Sequence, residues 1–375
     1  MTPPWLWSTA AKLCLAFAIC AAGAAEAPPC ASVGAIRWDA WHGAKGVPGV
    51  AVEKTLGPSR WHGRLPVCAQ VVAPDSVRIA CDSNEQMQLE IDQAADAGIS
   101  YFAFVAYAED DPMSLGLKAY LNAPNRRRVG FALVSEIDKW GGRSLYRPVV
   151  ERFVRLMRET GYQRTPDGRP LFFLGFIRDD DIARRFGGRD GARQAIEELR
   201  RLARNAGLPN PYIVLMERQV ARAAGLARDL GLDAVSAYAV ADNSVHGGSY
   251  RQLSSLVEQW WTDAQASNLP LVPPVMTGWD RRPRILNPLS WERGVYSDEQ
   301  MLRYYEPPSQ AELQSHLSSA MNIANRYPGA VPARTVIVYA WNEFDEGGWL
   351  APTRGDNSSR LQAVRAAIDG SCRAR

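Results

Sequence analysis

Glu343, Asp345 and Glu346 place three carboxylates within four residues, and Trp341, Phe344 and Trp349 flank them. Two carboxyl groups held close together cannot easily both ionise. One can then carry a proton while the other stays an anion, the division of labour that acid–base chemistry on a glycosidic bond needs. Aromatic faces beside the acids suit the apolar face of a pyranose. The β-branched, apolar run Thr335–Tyr339 just before them predicts a buried strand, so the acids fall in the loop at its C-terminal end. The same residues also fit an acidic surface loop whose tryptophans plug the end of a domain.

The elements that must position this loop follow a regular alternation. Short apolar runs predict strands over Val33–Trp38, Ser100–Val105, Val129–Val134, Leu171–Phe176, Tyr212–Met216, Asp233–Tyr238, Leu271–Met276 and Thr335–Tyr339. Amphipathic stretches predict helices over Glu85–Ala97, Ser144–Thr160, Asp190–Ala206, Val220–Leu230, Tyr250–Ala266, Pro308–Arg326 and Arg360–Ala367. Strand–helix alternation implies parallel strands with right-handed crossovers, and eight units match a (β/α)8 TIM barrel with extended loops at its C-terminal face. A doubly wound open sheet is the alternative, but no G-x-G-x-x-G turn follows an early strand. The insertions Trp41–Ala80 and Gly278–Pro307 are expected to shape a cleft at the barrel mouth.

A barrel builds its chemistry in the loops after the strands. Those loops carry Trp38, Asp39 and Trp41; Tyr107 with Glu109, Asp110 and Asp111; Glu136 and Asp138; Tyr238; and Trp279 and Asp280 ahead of Arg281, Arg282 and Arg284. Acids, aromatics and arginines converge on one rim. Trp38, Trp41 and Trp279 also fit a role as core plugs. The arginines suit either an acidic sugar or the rim acids themselves.

Composition narrows the function. The chain has 375 residues, 46% hydrophobic and 22% charged, with a net charge of +3 and signs interleaved, and no basic run with stacking aromatics points to nucleic acid. Its 12 tryptophans are many for this length, which suits a carbohydrate partner. Lys12, the apolar run Leu13–Ala22 and the small residues Ala22–Ala25 read as a signal peptide over residues 1–25, leaving residues 26–375 as one domain without a membrane span. Export to the periplasm or beyond suits the remaining cysteines. Of the three possible pairings, Cys68–Cys81 as a local staple and Cys30–Cys372 as a tie between the ends are favoured. Without C-x-x-C spacing and with few histidines, a zinc site is disfavoured, and no metal or organic cofactor is implied. The oligomeric state is left open.

The stretch Trp341-Asn342-Glu343-Phe344-Asp345-Glu346-Gly347-Gly348-Trp349-Leu350-Ala351-Pro352 resembles the W-N-E-W-x-E-G-x-x-L-x-P signature of glycoside hydrolase family 99-like proteins. That group includes endo-α-mannosidases, endo-α-mannanases and the WbsX-type proteins often labelled O-antigen glycosyltransferases. Gly278–Arg284 is similar to its G-W-D-x-x-x-R segment, Gly98–Phe104 to its G-I-x-x-F-x-F strand, and Gly168–Phe173 to its G-K-P-L strand with arginine for lysine. The resemblance implies a retaining hydrolase on a (β/α)8 barrel working through a 1,2-anhydro sugar. It gives Glu343 as the base for the sugar 2-hydroxyl and Glu346 as the acid for the leaving oxygen. Trp341 and Trp349 would stack on sugars, Asn342 would orient a carboxylate, and Tyr107 and Tyr238 would bond hydroxyls. Phe344 replaces the usual tryptophan, Asp345 adds a third carboxylate, and Arg37–Trp41 departs from the aromatic-rich first strand, so mannose specificity does not carry over.

Three function classes follow: an exported glycoside hydrolase, a WbsX-type glycosyltransferase, and a non-catalytic carbohydrate-binding barrel. Export opposes the transferase, because nucleotide-sugar donors are cytoplasmic, and the two glutamates oppose a mere binder.

Overall fold

The computed structural model describes Met1, residues 30–292 and residues 297–373; the signal-peptide reading lies outside them except for Met1. Eight parallel strands form the centre: β1 Ser32–Arg37, β2 Tyr101–Val105, β3 Gly130–Glu136, β4 Leu171–Gly175, β5 Tyr212–Met216, β6 Ala234–Ser236, β7 Pro274–Met276 and β8 Thr335–Tyr339. Their spatial order is β6-β5-β4-β3-β2-β1-β8-β7. Closure between β6 and β7 comes from a parallel bridge of Val235 with Leu271, where the Val235 N–H donates to the Pro270 carbonyl and the Val272 N–H to the Val235 carbonyl, each at 2.9 Å. This seam is short because Pro270, Pro273 and Pro274 bring no N–H to a ladder. The fold is a (β/α)8 barrel, as the alternation predicts.

The strands are buried almost throughout, which is why they read as continuous apolar runs instead of alternating ones. All seven expected helices are present; Val220–Leu230 and Tyr250–Ala266 have the expected bounds, and the last extends to Ser359–Arg373. The structure adds shorter helices, Val47–Thr55, Leu115–Asn122, Asp179–Phe186 and Arg282–Leu286, and a hairpin of Ala69–Ala73 with Ser76–Ile79. With at most nine residues each, these helices have too few turns for a clear 3.6-residue pattern.

Both expected disulfides form. Cys68–Cys81 staples the hairpin, and Cys30–Cys372 ties the start of the barrel to the last helix. That helix packs along Gln310–Arg326. Because Cys30–Cys372 spans a separation of 342 residues and Cys68–Cys81 only 13, the first restricts the unfolded chain far more. Replacing Cys30 and Cys372 by serine is expected to cost about 2–5 kcal/mol in denaturant unfolding, and replacing Cys68 and Cys81 distinctly less.

Candidate active site

The acidic loop after β8 is a tight, buried structure. Asn342 and Glu343 pair antiparallel with Trp349 and Gly348, and Phe344–Glu346 make one 3-10 turn between them. Gly347 closes that turn at φ 82°, and a Cβ there would lie 2.5 Å from the Asp280 nitrogen. Across from it, Gly278 has φ 147°, and a Cβ there would lie 2.2 Å from the Gly347 carbonyl oxygen. Two glycines thus let the loops after β7 and β8 meet backbone to backbone. The Asp280 N–H then donates to the Glu346 carbonyl at 2.7 Å, fixing where Glu346 sits.

Arg284 organises the acids. It lies in the short helix of the second insertion, buried, and clamps Asp345 through two bonds: Nε to Oδ2 at 3.0 Å and Nη2 to Oδ1 at 2.9 Å. The Thr55 hydroxyl, from the first insertion, donates to the same Asp345 Oδ2 at 3.0 Å. The rest of the Arg284 fork reaches outward to Glu346, to Glu292 at 3.0 Å and to Glu343 at 3.4 Å. Of the two readings of the loop arginines, pairing with rim acids is therefore what Arg284 does.

The surroundings push the two glutamates in opposite directions. Burial, with Glu346 nearby, pushes the Glu343 carboxyl well above its ordinary range; Arg284 and the Tyr238 hydroxyl, which donates to Oε1 at 2.7 Å, oppose this without prevailing. Burial also pushes Glu346 upward, but Arg284, Arg281 and the Tyr339 hydroxyl outweigh it and hold Glu346 below its ordinary value. Burial and neighbouring Glu343 keep the Tyr238 phenol protonated, and burial and Glu346 do so for Tyr339. Of the two, Glu343 is therefore the one that keeps its proton to higher pH.

Around the pair stand Trp38, whose Nε1 donates to the Tyr107 hydroxyl at 2.8 Å, and Tyr238. Trp279 is half-buried, bonded to Asn243 at 2.9 Å and packed 5.7 Å from the Tyr339 ring. Glu136 pairs with Lys139, whose ammonium lies 3.6 Å from the centre of the Tyr107 ring. Asp138 lies 3.8 Å from Arg178.

Other expected site residues are placed elsewhere. Trp341 is fully buried, its Nε1 donating to Glu90 at 2.8 Å and its ring 5.0 Å from Phe102, so neither face is open to a sugar. Trp349 is buried under the Arg360 guanidinium, 3.8 Å from the ring centre. Trp41 is buried with its ring 4.9 Å from Phe344. These tryptophans brace the loop from behind. Asp39 pairs with Arg37 at 2.8 Å, and Arg37 also pairs with Glu90. Asn342 donates to Asp39 at 3.2 Å and accepts the Trp38 N–H at 2.9 Å, so the carboxylate it orients is not one of the pair. Asp280 pairs with Arg64 and Arg282, locking the two insertions together. A cavity of about 20 Å³ between Arg37, Asp39, His42 and Glu90 has room for about one water and none for a sugar.

Sequence reasoning passed over Tyr339, Thr55 and Phe176. Tyr339 was legible: it shares a strand face with Thr335 and Ile337 and ends the strand that leads into the acids. Thr55 carried no signal, because an insertion 290 residues away brings it to Asp345. Among the described residues no group of three or more His, Cys, Asp or Glu side chains is arranged to hold a metal ion, and no helix is long and apolar enough to cross a membrane.

No family model matches the chain, and no curated protein matches it. Two solved structures of the family 99 endo-α-mannosidase of Bacteroides thetaiotaomicron share its architecture. One, in complex with bis-tris-propane, superposes with a TM-score of 0.56 at 14% identity, over 92% of this chain and 98% of that one. The other gives a TM-score of 0.55 at 13% identity, over 91% and 97%. The likeness is one of fold: a (β/α)8 barrel matched along nearly its whole length.

Two outcomes test this electrostatic arrangement. Because the folded state holds the Glu343 proton to higher pH than the unfolded chain does, stability attributable to Glu343 falls as pH rises from about 4.5 toward its raised value. Glu343→Gln removes that loss, so its melting temperature relative to wild type should climb between pH 4 and pH 8. Asp345→Asn breaks the two-bond clamp on buried Arg284 and disturbs the bond from Thr55, and should cost about 3 kcal/mol in urea unfolding.

Proposed function

We propose that the chain is an exported glycoside hydrolase that cleaves a polysaccharide or glycan at the C-terminal mouth of the barrel, with Glu343 and Glu346 as its acid–base pair. The observation that carries this reading is the pair itself: two buried glutamates on one loop, bridged by Arg284, with one favoured protonated and the other ionised. Glycosidic cleavage needs one group to give a proton to the leaving oxygen and another to remove one. The two disulfides support export.

In the reaction the protonated glutamate donates to the glycosidic oxygen as its bond to C1 breaks. The ionised glutamate takes the proton of the sugar 2-hydroxyl, whose oxygen closes on C1 to give the 1,2-anhydro sugar; water then opens it with retention. The charges around the free pair favour Glu343 as donor and Glu346 as base. A second order, Glu343 as base and Glu346 as acid, is favoured by their positions in the family-like motif.

Reducing-sugar release from a broad glycan panel tests the activity, and both Glu343→Gln and Glu346→Gln should lower it about 10²–10⁴-fold. An aryl glycoside of the released sugar with a dinitrophenolate leaving group then separates the roles, since such a group needs no acid. Rescue of Glu343→Gln supports Glu343 as donor; rescue of Glu346→Gln instead reverses the order. Binding without release by the wild type would favour the carbohydrate-binding barrel.

A further inference from the structure

Phe176 combines exposure with an unfavourable backbone. It follows β4 directly, at the rim, with φ 55°, a left-handed conformation that bulky side chains rarely adopt. Among the described residues the other non-glycine positions with positive φ are Asn268, Arg334 and Ser358, all polar and none aromatic. Its side chain gains only partial burial in exchange. Phe176 is 45% exposed, whereas the other eight phenylalanines among the described residues are buried. Gly175 and Ile177 on either side are buried too, so the chain turns to send this one ring outward.

The ring lies against Tyr238, with centroids 5.1 Å apart and planes at 60°. Tyr238 is the residue whose hydroxyl donates to Glu343 at 2.7 Å. An open aromatic face thus stands one side chain away from the candidate acid. A core plug would be buried, and an incidental surface residue would need no left-handed backbone. Strain kept at the edge of a site points to a ligand that uses it.

We propose that Phe176 is a sugar-binding platform, stacking on a pyranose that presents axial C–H bonds on one face, next to the bond that is cleaved. This rests on the carbohydrate reading above and adds to it a subsite on the β4 side of the pair. The sugar covers the exposed ring, and Tyr238 and Glu343 remain free to meet its polar edge.

Affinity electrophoresis tests the platform, using gels containing yeast mannan, galactomannan, xylan, dextran or laminarin and comparing wild type with Phe176→Ala, Phe176→Gly and Phe176→Trp. The polysaccharide that retards wild type should bind Phe176→Ala and Phe176→Gly roughly tenfold more weakly and Phe176→Trp about as well. Thermal unfolding of Phe176→Gly should occur no earlier than in wild type, since glycine accepts φ 55° freely. Equal retardation of all four proteins would overturn the platform and leave the hydrolase reading standing. Earlier unfolding of both small variants with unchanged binding would make the ring a structural plug. If no polysaccharide retards wild type and none is hydrolysed, the platform and the carbohydrate reading fail together.

Discussion

Arg284 is a buried cation set among Glu292, Glu343, Asp345 and Glu346, and the barrel mouth is organised around it. A buried guanidinium is tolerable only when anions meet its whole fork, and here they come from one loop after β8 and one insertion after β7. With Arg281 also touching Glu346 and Glu292, two cations face four acids. That imbalance is why the cluster favours one carboxyl protonated, and the geometry puts the proton on the glutamate least held by arginine. Glu343 meets Arg284 only at 3.4 Å, while Glu346 meets two arginines and a tyrosine hydroxyl.

Much of the surrounding structure holds this cluster still. Asp345 is the residue of the acidic trio that faces inward, and its two bonds to Arg284 plus one from Thr55 make it the anchor of the fork. Buried Trp41, Trp341 and Trp349 stiffen the loop from behind, and the Arg37–Asp39–Glu90 cluster supports it through Asn342 and Trp341. Apolar bracing on one side and a saturated ion network on the other leave the Glu343–Glu346 pair little freedom to rearrange. Pre-organisation of this kind lets an acid and a base act without first reordering their surroundings.

The fold was nearly all legible from periodicity. A strand buried on both faces becomes an apolar run of about five residues, and a barrel helix shows its 3.6-residue stripe, so both elements announce themselves locally. The place of the two glutamates was legible as well, because the apolar run before them marks the last barrel strand and so puts them in the loop at its C-terminal end. What failed to show was the direction each aromatic faces. Trp341 and Trp38 lie near the same loop and both read as site residues, yet Trp341 is enclosed by Phe102 and Glu90 whereas Trp38 reaches Tyr107.

The sequence by itself determined the alternation, hence the barrel, and the acidic–aromatic loop that ends its last strand, because these depend on residues close together in the chain. It also suggested both disulfides, the long one resting on the expectation that a closed barrel brings its ends together. Only the tertiary structure decided which acid keeps its proton to higher pH, since that turns on Arg284, Arg281, Tyr238 and Tyr339 arriving from the ends of two strands and an insertion. It alone showed Asp345 as an anchor and Phe176 as an open ring. Charge states and exposed faces are set by the neighbours a side chain meets across the fold, and no local pattern records those neighbours.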